Sequence, residues 1–165
     1  MSTFRTFAID AEVLAELRVR DDAGRLPRPV TDAEGGSPLR CCLRHSLPGE
    51  ELALLSYAPL RRWAARTGGD PGPYEEVGPV FVHAESCEGP EGTGFPAGMG
   101  GERRVFRAYD AKGGILGGRL VEHHISGDAI ASEAILAEQF ADPEVELVHV
   151  RAVEYGCFMF EARRA

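Results

Sequence analysis

The chain has 165 residues, 44% hydrophobic and 27% charged, a composition that suits one folded domain and excludes wholesale disorder. Its formal net charge of −8 argues against a general nucleic-acid binder, because phosphate affinity rests on clustered cations. No stretch reaches the roughly 20 apolar residues of a membrane span, and Met1–Thr6 holds no apolar run of signal-peptide length, so a cytoplasmic protein without membrane partners is expected.

In chain order, Thr3–Ile9 reads as a short strand. Asp10 offers an N-cap, and Val13, Leu14 and Leu17 recur at helical spacing. Residues 21–38, rich in Gly, Pro and Asp, are expected to form an exposed connection or a hairpin of weak strands. Leu39–His45 reads as a strand, Leu47–Glu50 as a Pro-Gly turn, and Glu51–Tyr57 as the second arm of that hairpin. Leu60–Thr67 is a short helix carrying Trp63. Gly78–Ala84 is the clearest strand, with Pro79 near its start, where a missing donor is tolerated. Residues 88–101 hold six glycines and two prolines and are expected to be a mobile loop over an edge or pocket.

Arg103–Tyr109 and Ile115–Val121 flank Asp110–Gly114, a strong hairpin signal. Ser126 or Asp128 caps a second helix with the apolar stripe Ile130, Ile135, Leu136 and Phe140, which Asp142-Pro143 stops. Val145–Ala152 and Cys157–Arg163 complete the strands. The expected fold is α+β: one domain over 1–165, a single mostly antiparallel sheet of about seven to eight strands, and two main helices packed on one face.

Several blocks resemble an uncharacterised bacterial family, domain of unknown function 1203. They are Arg40–Arg44 with Pro48–Glu50 and Leu54–Tyr57; Gly78–Ala84 with Cys87; Arg107–Asp110; and Phe140–Pro143 leading to His149–Arg151 and Tyr155–Phe158. They span most of the chain, so the resemblance implies a whole domain. It brings no activity and no catalytic residue with it.

Strand alternation sorts side chains onto two faces. Arg40, Cys42 and Arg44 share one face. So do Phe81 and His83, Arg107 and Tyr109, and Leu147, His149 and Arg151. The opposite faces are apolar. The plainest reading of the polar faces is contact with solvent; the sharper one is a concave site closed by the glycine-rich loop. In that site His83, His149 and Tyr57 are the candidate catalytic residues, with a histidine as general acid or base. Arg40, Arg44, Arg107, Tyr109, Arg151 and Phe81 would bind an anionic substrate; all but one of the 18 basic residues are arginine, whose rigid fork suits such a group.

Cys41, Cys42, Cys87 and Cys157 are expected to be reduced thiols. Cys41 and Cys42 would point to opposite faces of their strand. Cys87 and Cys157 with His83 and His149 could in principle make a tetrahedral zinc site, but the spacing is loose and no metal or other cofactor is expected. His123 and His124 read as exposed loop histidines. Neither a nucleophile elbow nor a phosphate-binding loop is present. The leading expectation is a cofactor-independent small-molecule enzyme of isomerase, cyclase or hydrolase type. The alternative is a non-catalytic module binding a small molecule or a protein, and homo-oligomerisation is left open.

Overall fold

The computed structural model describes residues 2–122 and 129–165. The expectations for His123 and His124, and for Ser126 or Asp128 as a cap, lie outside the described residues.

β1 (Phe4–Phe7) buries Phe4 and Thr6 on one face, after which Asp10 precedes α1 (Ala11–Val19). Asp10 does not cap the helix with its carboxylate, which turns to Arg66 at 2.6 Å. Next come β2 (Arg28–Asp32), β3 (Pro38–Leu39), β4 (Arg44–His45) and β5 (Glu50–Tyr57). Pro59 starts α2 (Pro59–Thr67), where its missing N–H costs nothing, and Gly68 ends it at φ +78. Then follow β6 (Gly78–His83), β7 (Arg103–Tyr109), β8 (Ile115–Glu122), α3 (Ala129–Phe140), β9 (Leu147–Ala152) and β10 (Phe158–Arg164).

These strands form two five-stranded sheets, not the single sheet expected. Sheet A runs β1-β10-β9-β7-β8 and is antiparallel throughout; sheet B runs β2-β5-β6-β3-β4, with β3 parallel to β6. Three α-helices, not two, are present among the described residues, and they do not share one face. Leu136 and Phe140 of α3 join Phe106, Val148, Val150 and Phe160 in one core cluster. Leu60, Trp63 and Ala64 of α2 cluster with Tyr109 and Leu147, residues on the opposite face of sheet A. Leu14 and Leu17 of α1 cluster with Leu52, Val80 and Val82 of sheet B. Both faces of β9 are therefore covered, and the alternation that promised one polar face fails there.

Other corrections are local. The stretch 39–45 is not one strand: residues 40–43 form a turn closed by Leu43 N–H donating to Leu39 O at 2.9 Å, with Leu43 itself at φ +57. β4 pairs with β3, and β5 pairs with β2 and β6, so the Pro48-Gly49 turn joins strands that are not partners. Ile130, assigned to the buried stripe of α3, is 81% exposed.

The link from α1 to sheet B depends on Asp21, which is buried. Its carboxylate accepts N–H bonds from Arg25 (2.8 Å), Ser56 (2.9 Å) and Ala23 (3.0 Å). Burial pushes its pKa up, but these donors together outweigh burial and hold it below the usual carboxylate value. Asp21→Ala is expected to lower the unfolding free energy by about 2–3 kcal/mol, because three backbone donors lose their acceptor. Urea denaturation checks this, and a loss under about 0.5 kcal/mol would contradict it.

Candidate functional site

A large cleft, about 900 Å³, lies between the turn after β3, the end of β6 and the glycine-rich segment 85–98. The two ends of that segment are tied down from different elements. Arg18 of α1 donates to His83 O (3.1 Å) and Glu85 O (3.0 Å). At the far end, Thr6 of β1 bonds Thr93 O and Gly94 O, and Phe95 and Met99 are buried in the core under α3. Residues 88–101, expected as a loop over an edge or pocket, thus supply much of one wall.

The inner wall is built by topology. β3 lies beside β6 with Leu39 opposite Phe81, so the turn 40–43 sits next to His83, the last residue of β6. Within that turn Cys41 and Cys42 do not diverge; their sulfurs are 3.9 Å apart. His83 Nδ1 lies 3.4 Å from Cys41 Sγ and 3.8 Å from Cys42 Sγ, and the His83 backbone N–H donates to Cys41 Sγ at 3.2 Å. Cys87 brings a third sulfur, and all four ligand atoms lie within 4.8 Å of one another.

The other ring nitrogen, His83 Nε2, is 3.1 Å from Arg44 Nη2 and 3.3 Å from Glu50 Oε1. Arg44 grips Glu50 with two bonds, at 2.7 and 3.1 Å, and Leu47 N–H adds a third donor. The Arg44 guanidinium, followed by the Leu47 N–H, draws Glu50 down to about 2. Cys42 lies well below the ordinary thiol range: the hydrogen bond from Cys41 outweighs burial, and the Arg44 backbone N–H and the facing His83 and Arg44 add to it. Cys41, as the donor in that bond, is pushed up.

The other candidate residues lie elsewhere. Arg40 is 2% exposed and donates to Phe158 O and Pro38 O, with Cys157 Sγ at 3.3 Å. His149 is 1% exposed, packed between Tyr109 (4.8 Å) and Phe158 (5.1 Å), with its Nε2 3.6 Å from Glu161 and without a hydrogen bond. Tyr57 is buried against Phe158, which pushes its phenol above the usual range, and Tyr109 is buried under α2. Arg107 and Arg151 share Glu76 at 3.0 and 2.9 Å. Tyr57 and Arg151 line a separate depression of about 240 Å³. Phe81 packs at the margin of the sheet B core. Of the nine candidates, His83 and Arg44 alone line the large cleft.

Sequence reasoning missed Cys41, Cys42 and Glu50. A strand places adjacent residues on opposite faces, whereas a turn can bring them together. The proximity of Pro38 upstream and Pro48-Gly49 downstream was the available sign that 39–45 is too bracketed for a long strand.

Fold and site together define a two-sheet α+β protein with a thiol-imidazole cluster in the wall of a cleft. The family model described as a protein of unknown function (DUF1203) matches residues 36–164, and the chain belongs to that family. That span includes Cys41, Cys42, His83 and Cys87. No curated protein and no solved structure matches the chain. No helix among the described residues is long and apolar enough to cross a membrane.

Proposed function

We propose that the protein binds a small molecule in the large cleft, against the wall that carries Cys42 and His83. The observation that carries this reading is the convergence of Cys42, Cys87, His83 and the clamped Glu50 on the wall of a concavity of ligand-sized volume.

Charge reshapes the expected substrate. Glu50, Glu51, Glu85, Glu88 and Glu91 line the cleft, and among its lining residues Arg44 is the one arginine, already spent on Glu50. Such a field repels an anion and favours a neutral or cationic molecule. The buried His149 is too enclosed to meet a substrate. A reducing, cytoplasmic setting belongs to the same reading, supported by four free cysteines.

Ala97 lines the cleft with an exposed side chain. Ala97→Trp is expected to fill the cleft and leave the unfolding midpoint of the free protein near that of the parent. A thermal-shift screen of neutral, cationic and anionic metabolites is expected to yield hits of the first two kinds that the variant loses. A hit binding at 100 times its Kd adds about 2.7 kcal/mol to stability. Hits that persist in Ala97→Trp, or that are all anionic, would refute the assignment.

A further inference from the structure

We infer that Cys41, Cys42, His83 and Cys87 are the ligands of one zinc ion set in the wall of the cleft. The inference rests on the cleft reading only for the ion's surroundings; the ligand set stands on its own geometry.

A tetrahedral zinc with bonds of about 2.3 Å to sulfur and about 2.0–2.1 Å to nitrogen requires sulfur–sulfur edges of about 3.8 Å and sulfur–nitrogen edges of about 3.6 Å. The corresponding separations are 3.9 Å for Cys41–Cys42, 3.4 Å for Cys41–His83 and 3.8 Å for Cys42–His83. Those are the spacings of an assembled coordination shell. Cys87 completes it from the exposed side, four residues beyond His83, with its sulfur within 4.8 Å of the rest.

The surroundings match what a metal-bound imidazole requires. Coordination through Nδ1 leaves the proton on Nε2, whose neighbours are Glu50 Oε1 at 3.3 Å and Arg44 Nη2 at 3.1 Å; the carboxylate is the acceptor that the outer nitrogen of a ligating histidine requires, and the guanidinium, which only donates, turns its N–H groups to Glu50. Glu50 is itself fixed by Arg44 and by Leu47 N–H, so the ring orientation is set before the metal enters. Three thiolates and a divalent ion carry a net charge of −1, and the Arg44 guanidinium lies beside the site to offset it. The His83 backbone N–H to Cys41 Sγ, at 3.2 Å, is the bond expected at a bound thiolate. Soft sulfur with one imidazole selects zinc over magnesium or calcium, which prefer oxygen.

The expectation of no metal is thereby reversed, and the ligand set differs from the one weighed on spacing. His83 and Cys87 remain. His149 is sealed between two aromatic rings, and Cys157 is held by Arg40. His83 becomes a metal ligand, not a proton carrier. Because Cys87 belongs to the segment that walls the cleft, the ion ties that wall to β6.

The test is elemental analysis of untagged, reduced protein, followed by cobalt(II) titration after the metal is stripped. About one zinc per chain is expected, as are tetrahedral ligand-field bands with thiolate-to-cobalt charge transfer. Glu50→Gln is expected to weaken cobalt affinity by about 10–100-fold with the spectrum kept, and Cys157→Ser to leave both unchanged. Cys42→Ser and Cys87→Ser are expected to remove charge-transfer intensity. Metal-free protein with four titratable thiols and no cobalt bands would overturn the inference in the parent chain, whether or not any variant folds. So would unchanged cobalt spectra in both cysteine variants. Zinc retained by Ala97→Trp while ligand binding is lost separates this site from the cleft reading; either can fail alone.

Discussion

Arg40→Ala is expected to lower the unfolding free energy by about 3–5 kcal/mol, the largest loss for any single side chain discussed here. The guanidinium is buried, and among the described residues no carboxylate bonds it. Its bonds go to two carbonyls, Phe158 O at 2.8 Å and Pro38 O at 2.5 Å, and to the sulfurs of Cys157 and Met159. Two opposing quantities decide the sign. Enclosing the charge costs several kcal/mol, and burial accordingly lowers the Arg40 pKa. Against that, each charged bond returns about 1.5–3 kcal/mol net, and truncation to alanine orphans both carbonyls and opens a cavity. Arg40 also joins the sheets, since it follows β3 in sheet B and bonds the first residue of β10 in sheet A. Arg40→Met separates the terms. It refills most of the volume and is expected to lose about 1.5–3 kcal/mol. Guanidinium denaturation of both variants checks the ordering. A methionine variant as stable as the parent would mean that desolvation outweighs the bonds.

The second large effect is acid sensitivity set by His149. Burial holds its pKa below the ordinary 6.5, with Glu161 pulling weakly the other way, so the ring is neutral in the fold. The unfolded chain binds a proton near pH 6.5 that the folded chain does not. Stability is therefore full above that value and falls as pH drops through it toward the depressed folded pKa, with a slope approaching about 1.4 kcal/mol per pH unit. Glu161 acts in the same direction lower down. Burial raises its pKa, but the facing His149, once protonated, and the Arg163 guanidinium hold it below the ordinary 4.5, so its contribution is lost as pH falls below 4.5. His149→Phe fits between Tyr109 and Phe158, and it is expected to reduce the slope of the stability profile between pH 7 and 5 while keeping the part of the fall below pH 4.5 that Arg163 supplies through Glu161. Urea midpoints at half-unit intervals measure both limbs. An unchanged upper limb in the variant would assign the proton to another group.

Local patterns were legible where neighbouring residues decide the outcome. The β7–β8 hairpin followed from alternation around Asp110–Gly114, where Gly113 has φ +91 and Asp110 accepts the N–H groups of Lys112 and Gly114. β6 and α2 also matched, since Pro and Gly mark their ends. The single-sheet expectation failed because hairpin signals say which strands are neighbours in sequence, not which edges remain free. The chain leaves sheet B after β6 and enters sheet A at β7, and nothing within residues 84–102 encodes that exchange.

The candidate site divides along the same line. His83 and Cys87 could be singled out from sequence because only three residues separate them, on a strand end and its exit. Cys41 and Cys42 could not, because the turn that brings them together is held from a distance: Arg40 N–H donates to Phe81 O, Ile9 N–H to Arg40 O, and the Arg40 side chain to Phe158 O. From the amino-acid order alone come the α+β class, most of the strands, the negative charge and the pool of arginines, thiols and imidazoles, since all of these depend on composition or on residues a few positions apart. The tertiary structure alone decided that α2 seals His149, that Arg40 is core, and that three thiols and one ring meet at a cleft. Each of those outcomes requires closing long stretches of chain, and the free energy that does so is spread over two cores, not written in any one segment.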